Sequence, residues 1–359
     1  MALNQKNTID WHLSASDTRV LKGVAICCML CWHLFYCPNQ FGEEFSELTK
    51  WFGLMGDVCV SVFLFVSGYG LTIQFGNKNH SNDASGLKFV ILRIIKFYSS
   101  FWIVLLIVLP IGILVLNRPL IESDSTAEVL QAWFREIFAI SGHSSYNSTW
   151  WFNTLIIEMY LIFPVLYYGL KYACIPTLLF AFMQRHLSIA HIGLDMQIYI
   201  PIFVIGMLFA MYANNITKWC HRFPAWTIYV IAFIGLVAPA IALPLLDRID
   251  YGDPIFYKGI KLYGVLTIAI MMLIVLMRGH CVYSGKCFAF LGKHSSNIYW
   301  MHKFFYFYWF PTFFYSLHNP ILIFIALMSV CLLLSILLEW IKDVSSYNRF
   351  VNGILTKIS

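Results

Sequence analysis

The chain has 359 residues, of which 60% are hydrophobic and only 12% charged, and its mean hydropathy is +0.71. A soluble domain carries about 25% charged residues, so this composition excludes an ordinary soluble fold. The formal net charge of +6 comes without a nucleic-acid-binding motif, so it is read through its distribution between loops, and no nucleic-acid partner is expected.

A helix that crosses a hydrocarbon core needs about 20 mostly apolar residues. In chain order the sequence predicts ten such helices, over 21–38, 57–76, 96–116, 150–170, 173–190, 197–213, 225–245, 259–277, 287–310 and 320–341. The fifth is interrupted by Pro176, Gln184, Arg185 and His186. The N-terminal stretch "MALNQKNTIDWHLSASDTR" is polar and lacks the short apolar core of a cleavable signal peptide, so the first apolar segment is expected to stay as a helix. The 12 Trp, 20 Tyr and 31 Phe suit many helix ends lying at headgroup level. Neither a linker nor a soluble appendage of domain size nor an internal repeat stands out. The expected architecture is a single all-α, polytopic membrane helix bundle over residues 1–359, with its core at 19–341.

Loops give an independent reading, because cytoplasmic loops are enriched in Lys and Arg. With the N-terminus inside, Lys78, Lys88 and Arg93 follow segment two, Lys218 and Arg222 follow six, Arg278 and Lys286 follow eight, and Lys342, Arg349 and Lys357 end the chain. All of these fall inside. The outside loops are acidic or mixed, with Glu43, Glu44 and Glu47 in the first, Glu122, Asp124 and Glu128 in the second, and Asp247, Asp250 and Asp253 in the fourth. Both termini are therefore expected in the cytoplasm. The outside stretch "EVLQAWFREIFAISG" reads either as an amphipathic helix on the membrane surface or as a loop helix covering the bundle. The ten cysteines lie mostly inside apolar runs, where they behave as small hydrophobes. Cys28 and Cys31 have C-x-x-C spacing without the further ligands a tetrahedral site needs, and no metal is expected.

Ionisable groups inside the apolar runs are the candidates for chemistry, since each is costly in a bilayer. In "RVLKGVAICCMLCWHLFY", Lys22 and His33 are eleven residues apart, which places them on one helix face with a rise of about 16 Å between them. Lys22 then sits at the cytoplasmic rim and His33 near mid-depth. A cation there suits the phosphates of an anionic cofactor whose reactive end reaches the histidine; a snorkelling lysine and a packing histidine fit the same pattern. Arg93 and Lys96, at i and i+3, share a face at the same rim and suit either phosphate binding or positive-inside anchoring. Glu158, seven residues inward of Trp151, falls about 10 Å below the outer rim, near the depth expected for His33. A base with its orienting partner, a structural ion pair and a proton relay all remain open for that pair. His302 has Tyr299 and Tyr306 at i−3 and i+4, whose hydroxyls can satisfy it, so a structural or substrate-lining role is favoured over direct chemistry. Ser67 and Gly68 read as a close helix-packing position rather than a nucleophile, because no Gly-x-Ser-x-Gly elbow surrounds them.

Five stretches in order carry a family resemblance: the basic residue, ten positions and histidine of the first helix; "VSVFLFVSGYGL"; "LKFVILRIIKFY"; "WWFNTLIIEMYLIFPVL"; and "LGKHSSNIYWMHKFF". Together they resemble the acyltransferase-3 family of integral membrane O-acyltransferases, over about residues 19 to 341. One departure is Lys96, which stands at the second position of the family's Arg-x-x-Arg and keeps the charge without the bidentate fork. The resemblance implies transfer of an acyl group, acetyl above all, from cytoplasmic acyl-CoA to a hydroxyl of an extracytoplasmic or lipid-linked glycan. It implies His33 as general base with Glu158 as partner, Lys22, Arg93 and Lys96 at acetyl-CoA, and Ser67, Trp151, Tyr160, Tyr299 and His302 lining the acceptor side. Direct transfer and a transient acyl-enzyme both remain open. The setting it implies is a bacterial cytoplasmic (inner) membrane, with membrane lipid around the bundle. A proton-coupled transporter of a sugar or lipid, with His33 and Glu158 as relay, is the rival reading, and a membrane scaffold without turnover is a third.

Overall fold

A computed structural model describes residues 9–36, 45–80, 86–183, 194–247, 254–278 and 280–358, and among them all regular structure is helical. The helices are α1 (Ala15–Phe35), α2 (Glu47–Met55), α3 (Val58–His80), α4 (Gly86–Pro110), α5 (Thr126–Ile137), α6 (Trp151–Tyr172) and α7 (Cys174–Met183). They continue as α8 (Leu194–Cys220), α9 (Ala225–Asp247), α10 (Pro254–Leu276), α11 (Val282–Lys303), α12 (Pro311–Tyr315), α13 (Pro320–Val344) and α14 (Tyr347–Ile358). Each of the ten expected spans falls on one of these. Seven described helices are long and apolar enough to cross a membrane. The spans α7 and α10 contribute shorter apolar helices, and α11 is not among either group because its middle is polar. Glu43, Glu44, Asp250 and Asp253, with Gln184, Arg185 and His186, lie outside the described residues, as do the side chains of Lys78 and Asp247.

Local chemistry fixes where α1 begins. Ser14 accepts from the Asp17 N–H while its own N–H donates to Asp17 Oδ2 at 2.7 Å, a reciprocal cap that satisfies two otherwise orphaned donors. The same carboxylate accepts from Arg278 Nη2 at 2.7 Å, so the start of α1 is tied to the segment that follows α10. At the other end of the bundle Asn319 caps α13 ahead of Pro320, whose missing N–H costs nothing at that position.

Two seams organise the interior. In the first, α1 lies against α11 so closely that a Cβ on Gly23 would fall 1.9 Å from the Phe288 carbonyl oxygen, and one on Gly292 1.8 Å from that of Arg19. In the second, α3 meets α8 through Gly68 and Gly206, whose added Cβ atoms would each fall 2.2 Å from a backbone oxygen, of Phe203 and Phe65 respectively. Gly68 thus has the packing role expected of it. Helices on the outside of the bundle present apolar side chains: Trp226, Val230, Phe233 and Ile241 of α9 are all exposed, a surface at home only in lipid. The α5 helix docks at its C-terminal end, where the Ile137 and Phe138 carbonyls accept from Trp102 and Tyr98 of α4, while Leu130 and Phe134 stay exposed. Its Glu136 is buried, and burial pushes that carboxyl up from its ordinary value against the pull of the Tyr146 N–H, the Ser141 hydroxyl and the Arg118 charge.

Charge distribution gives the bundle an expected orientation, with the end that carries Lys218, Arg278, Lys342 and Arg349 in the cytoplasm. In a background lacking the exposed Cys281 and Cys287, a cysteine placed at Glu122 should react with an impermeant reagent added outside, and one at Lys218 should not. The reverse pattern would invert the molecule.

Candidate active site

Three helices bring cations to one chamber of about 370 Å³. Lys22 comes from α1, Arg93 and Lys96 from α4, and Lys293 from the middle of α11. A fifth cation, Lys342 of α13, is held by Glu339 at 2.8 Å, and the same carboxylate oxygen accepts from Asn297 at 2.9 Å. That acid is therefore committed. Among the described residues no carboxylate is ion-paired with Lys22, Arg93, Lys96 or Lys293. Among the described residues, the charged groups acting on Lys22 are Lys96, Arg19 and Arg93, all of its own sign. Such an excess, walled by low-dielectric helices, focuses a field that attracts anions. Arg93 also donates to the Gln74 amide oxygen of α3 and lies over the Phe89 ring, which fixes the direction of its guanidinium.

A second, smaller chamber of about 90 Å³ lies toward the opposite end and contains His33. The two chambers share Phe63, Phe152, Ser295, Ser296 and Tyr299 as a common wall. His33 sits in the last turn of α1 and shares its chamber with Thr149, Trp151 and Phe152 at the start of α6. Trp151 is held flat between His143, at a ring distance of 5.1 Å, and Tyr199, at 5.9 Å. His143 in turn meets Asp195 at 2.9 Å. The 147–150 turn that carries Thr149 is pinned to α11, since the Trp300 carbonyl accepts from Trp150 Nε1 at 3.1 Å and the Trp300 indole donates to Asn153 at 2.9 Å.

His33 meets another histidine. The His302 ring lies 4.9 Å away at 45°, fully buried, and stacks on Tyr306 at 6.1 Å. Its Nδ1 is 2.7 Å from the Tyr299 carbonyl. A carbonyl only accepts, which assigns the proton to Nδ1 and leaves the lone pair on Nε2, an atom with no hydrogen-bond partner among the described residues. His302 is thus satisfied by a backbone oxygen, not by the tyrosine hydroxyls expected from the sequence. The Tyr299 hydroxyl goes to the Thr149 carbonyl instead.

Ser67 and Tyr160 line the inner chamber, Trp151 the outer one and Tyr299 both. Glu158 lines neither. Ile156 and Tyr160, two residues to either side, face the inner chamber, and two residues are about 200° of helix, so Glu158 occupies the far side of α6. The charge acting on it there is Asp195.

A protein-family model described as an acyltransferase domain, Acyl_transf_3, matches residues 17–340. The chain belongs to the acyltransferase-3 family. It is an integral membrane acyltransferase, and both chambers lie within the matched residues apart from Lys342. No curated protein and no solved structure matches it. Within this acyltransferase, sequence reasoning passed over Lys293 and the His33–His302 contact. A signal for Lys293 was present: "GKHSSN" puts six weakly apolar or polar residues in the middle of a span, where each needs a partner or a cavity.

Proposed function

We propose that this acyltransferase moves an acyl group, acetyl in the first instance, from cytoplasmic acyl-CoA to a hydroxyl of an extracytoplasmic or lipid-linked glycan. The observation that carries the reading is the shared wall between a chamber where Lys22, Arg93, Lys96 and Lys293 have no ion-paired carboxylate among the described residues and a chamber containing His33. A CoA thioester is polyanionic at one end and electrophilic at the other. Lys22 and His33 are separated by about 16 Å along α1, a path for the flexible arm that joins those two ends. On this reading the acceptor hydroxyl gives its proton to His33, its oxygen bonds to the thioester carbonyl carbon, and the carbon–sulfur bond breaks. The departing CoA thiolate then takes the proton back. Ser296 lines both chambers and is the hydroxyl donor best placed for the carbonyl oxygen as charge develops there. His302 backs the imidazole of His33, and Trp151 offers an aromatic face for a sugar ring. Glu158 acts, if it contributes, from outside the reacting chamber.

Acceptor-dependent release of free CoA thiol by the purified protein is the direct test. Uptake of acceptor into vesicles without CoA release would replace transfer by transport. Arg93→Ala removes a charge-assisted contact worth about 1.5–3 kcal/mol, so it should weaken acetyl-CoA binding by about tenfold or more, measured calorimetrically. Lys96→Arg restores the fork and should preserve or tighten binding. Unchanged affinity in Arg93→Ala would leave these cations as membrane anchors.

A further inference from the structure

A third cavity, of about 390 Å³, lies on the cytoplasmic side of the inner chamber in the expected orientation. Arg93 and Lys96 belong to both, so one pair of cations stands between two spaces. The outer wall of this cavity is α14, beyond the residues that match the family. Ser346, in the left-handed region at φ 58°, turns the chain back after α13. The Tyr347 hydroxyl then donates to the Ser99 carbonyl of α4 at 2.8 Å and fixes the start of α14 against that helix. Asn352, Leu355 and Thr356, at i, i+3 and i+4, are one face of α14 and line the cavity. Helix α14 carries Arg349 and Lys357 and no acidic residue.

We propose that the cavity between α14 and α4 holds the adenosine 3′-phosphate end of the acyl-CoA donor, so that α14 completes the donor site. This rests on the acyl-CoA reading above. The donor has two anionic groups separated by a ribose, the pyrophosphate and the 3′-phosphate, and the Arg93–Lys96 pair has a cavity on each side. Leu92 and Leu355 supply apolar surface for a purine, and the Gln74 amide NH₂ and the Asn352 amide flank it with polar groups. Its volume falls within the range of about 300–1,000 Å³ typical of small-molecule sites. An anionic lipid headgroup would satisfy the cations from the membrane side, but it leaves the sharing of Arg93 and Lys96 with the inner chamber without a purpose.

The test uses the full-length protein in phosphatidylcholine nanodiscs and compares two donors by calorimetry: acetyl-CoA, and acetyl-phosphopantetheine, which has the same thioester arm without the nucleotide. Leu355→Trp, which fills the cavity, should raise the Kd for acetyl-CoA at least tenfold and leave that for acetyl-phosphopantetheine unchanged. Asn352→Ala should show the same pattern at smaller size, and adenosine 3′,5′-bisphosphate should compete with acetyl-CoA in the wild type but not in Leu355→Trp. Equal effects of Leu355→Trp on both donors, or no effect on either, would overturn the proposal. So would a wild type that ignores adenosine 3′,5′-bisphosphate yet responds, through Leu355, to phosphatidylglycerol in the disc. A wild type that binds neither donor would sink the acyl-CoA reading itself, a result distinct from loss of the difference between donors.

Discussion

His33→Gln is expected to lower acyl transfer by about 10²–10⁴-fold, the usual contribution of a general base, in a protein that still folds and binds acetyl-CoA. Glutamine retains a hydrogen-bonding amide but cannot accept a proton at neutral pH, so the substitution separates proton transfer from packing. The neighbouring histidine supplies the control. His302→Phe keeps a ring against His33 and Tyr306 while removing the bond to the Tyr299 carbonyl, and should cost less than His33→Gln. Equal losses would assign the proton transfer to the two rings jointly. Near-normal transfer by well-folded His33→Gln would mean that the reacting base is elsewhere, and Glu158, on the far side of α6, would become the next group to change.

Gly292→Ala is expected to be as damaging to the fold as His33→Gln is to the chemistry. The added carbon would fall 1.8 Å from the Arg19 carbonyl oxygen, 2.7 Å from its carbon and 3.0 Å from the Gly23 nitrogen. All three are backbone atoms, so relief requires α1 and α11 to separate, and with them the wall common to both chambers. A cost above about 4 kcal/mol is expected, at the extreme of single substitutions. It would appear as loss of the monodisperse peak on size exclusion in detergent and of acetyl-CoA binding together. Gly285→Ala on the same helix, where a Cβ meets nothing within 4 Å, should stay within about 0.5 kcal/mol of wild type. Wild-type behaviour of Gly292→Ala would mean that the seam is looser than described.

The number and order of the spans were readable because hydrocarbon thickness, not packing, sets the length of an apolar run. Helix ends were less so. The first segment was read to residue 38 but α1 stops at Phe35, which leaves His33 in its last turn. Lys22, Arg93 and Lys96 were legible as charges embedded in apolar sequence, and they do converge on one chamber. Glu158 carries the same signal and lies elsewhere. Counting residues along a helix gives depth, whereas the direction a side chain points around the axis depends on how that helix is rotated in the bundle. The His33–His302 contact joins residues 269 apart and follows from two glycines whose meaning appears only when their helices are side by side.

The polarity of α11 bears on how the molecule is made. The segment with Lys293, His294, Ser295, Ser296 and Asn297 pays a high insertion cost as an isolated span, and its chief partner, α1, leaves the ribosome more than 250 residues earlier. Until α11 is made, the Gly23 face of α1 lacks the helix it packs against, and both chambers lack the wall that α11 supplies. Assembly of the site is therefore a late event in biogenesis. A nascent chain interrupted before residue 282 would hold most of its membrane spans but lack Lys293, Ser295, Ser296, Tyr299 and His302.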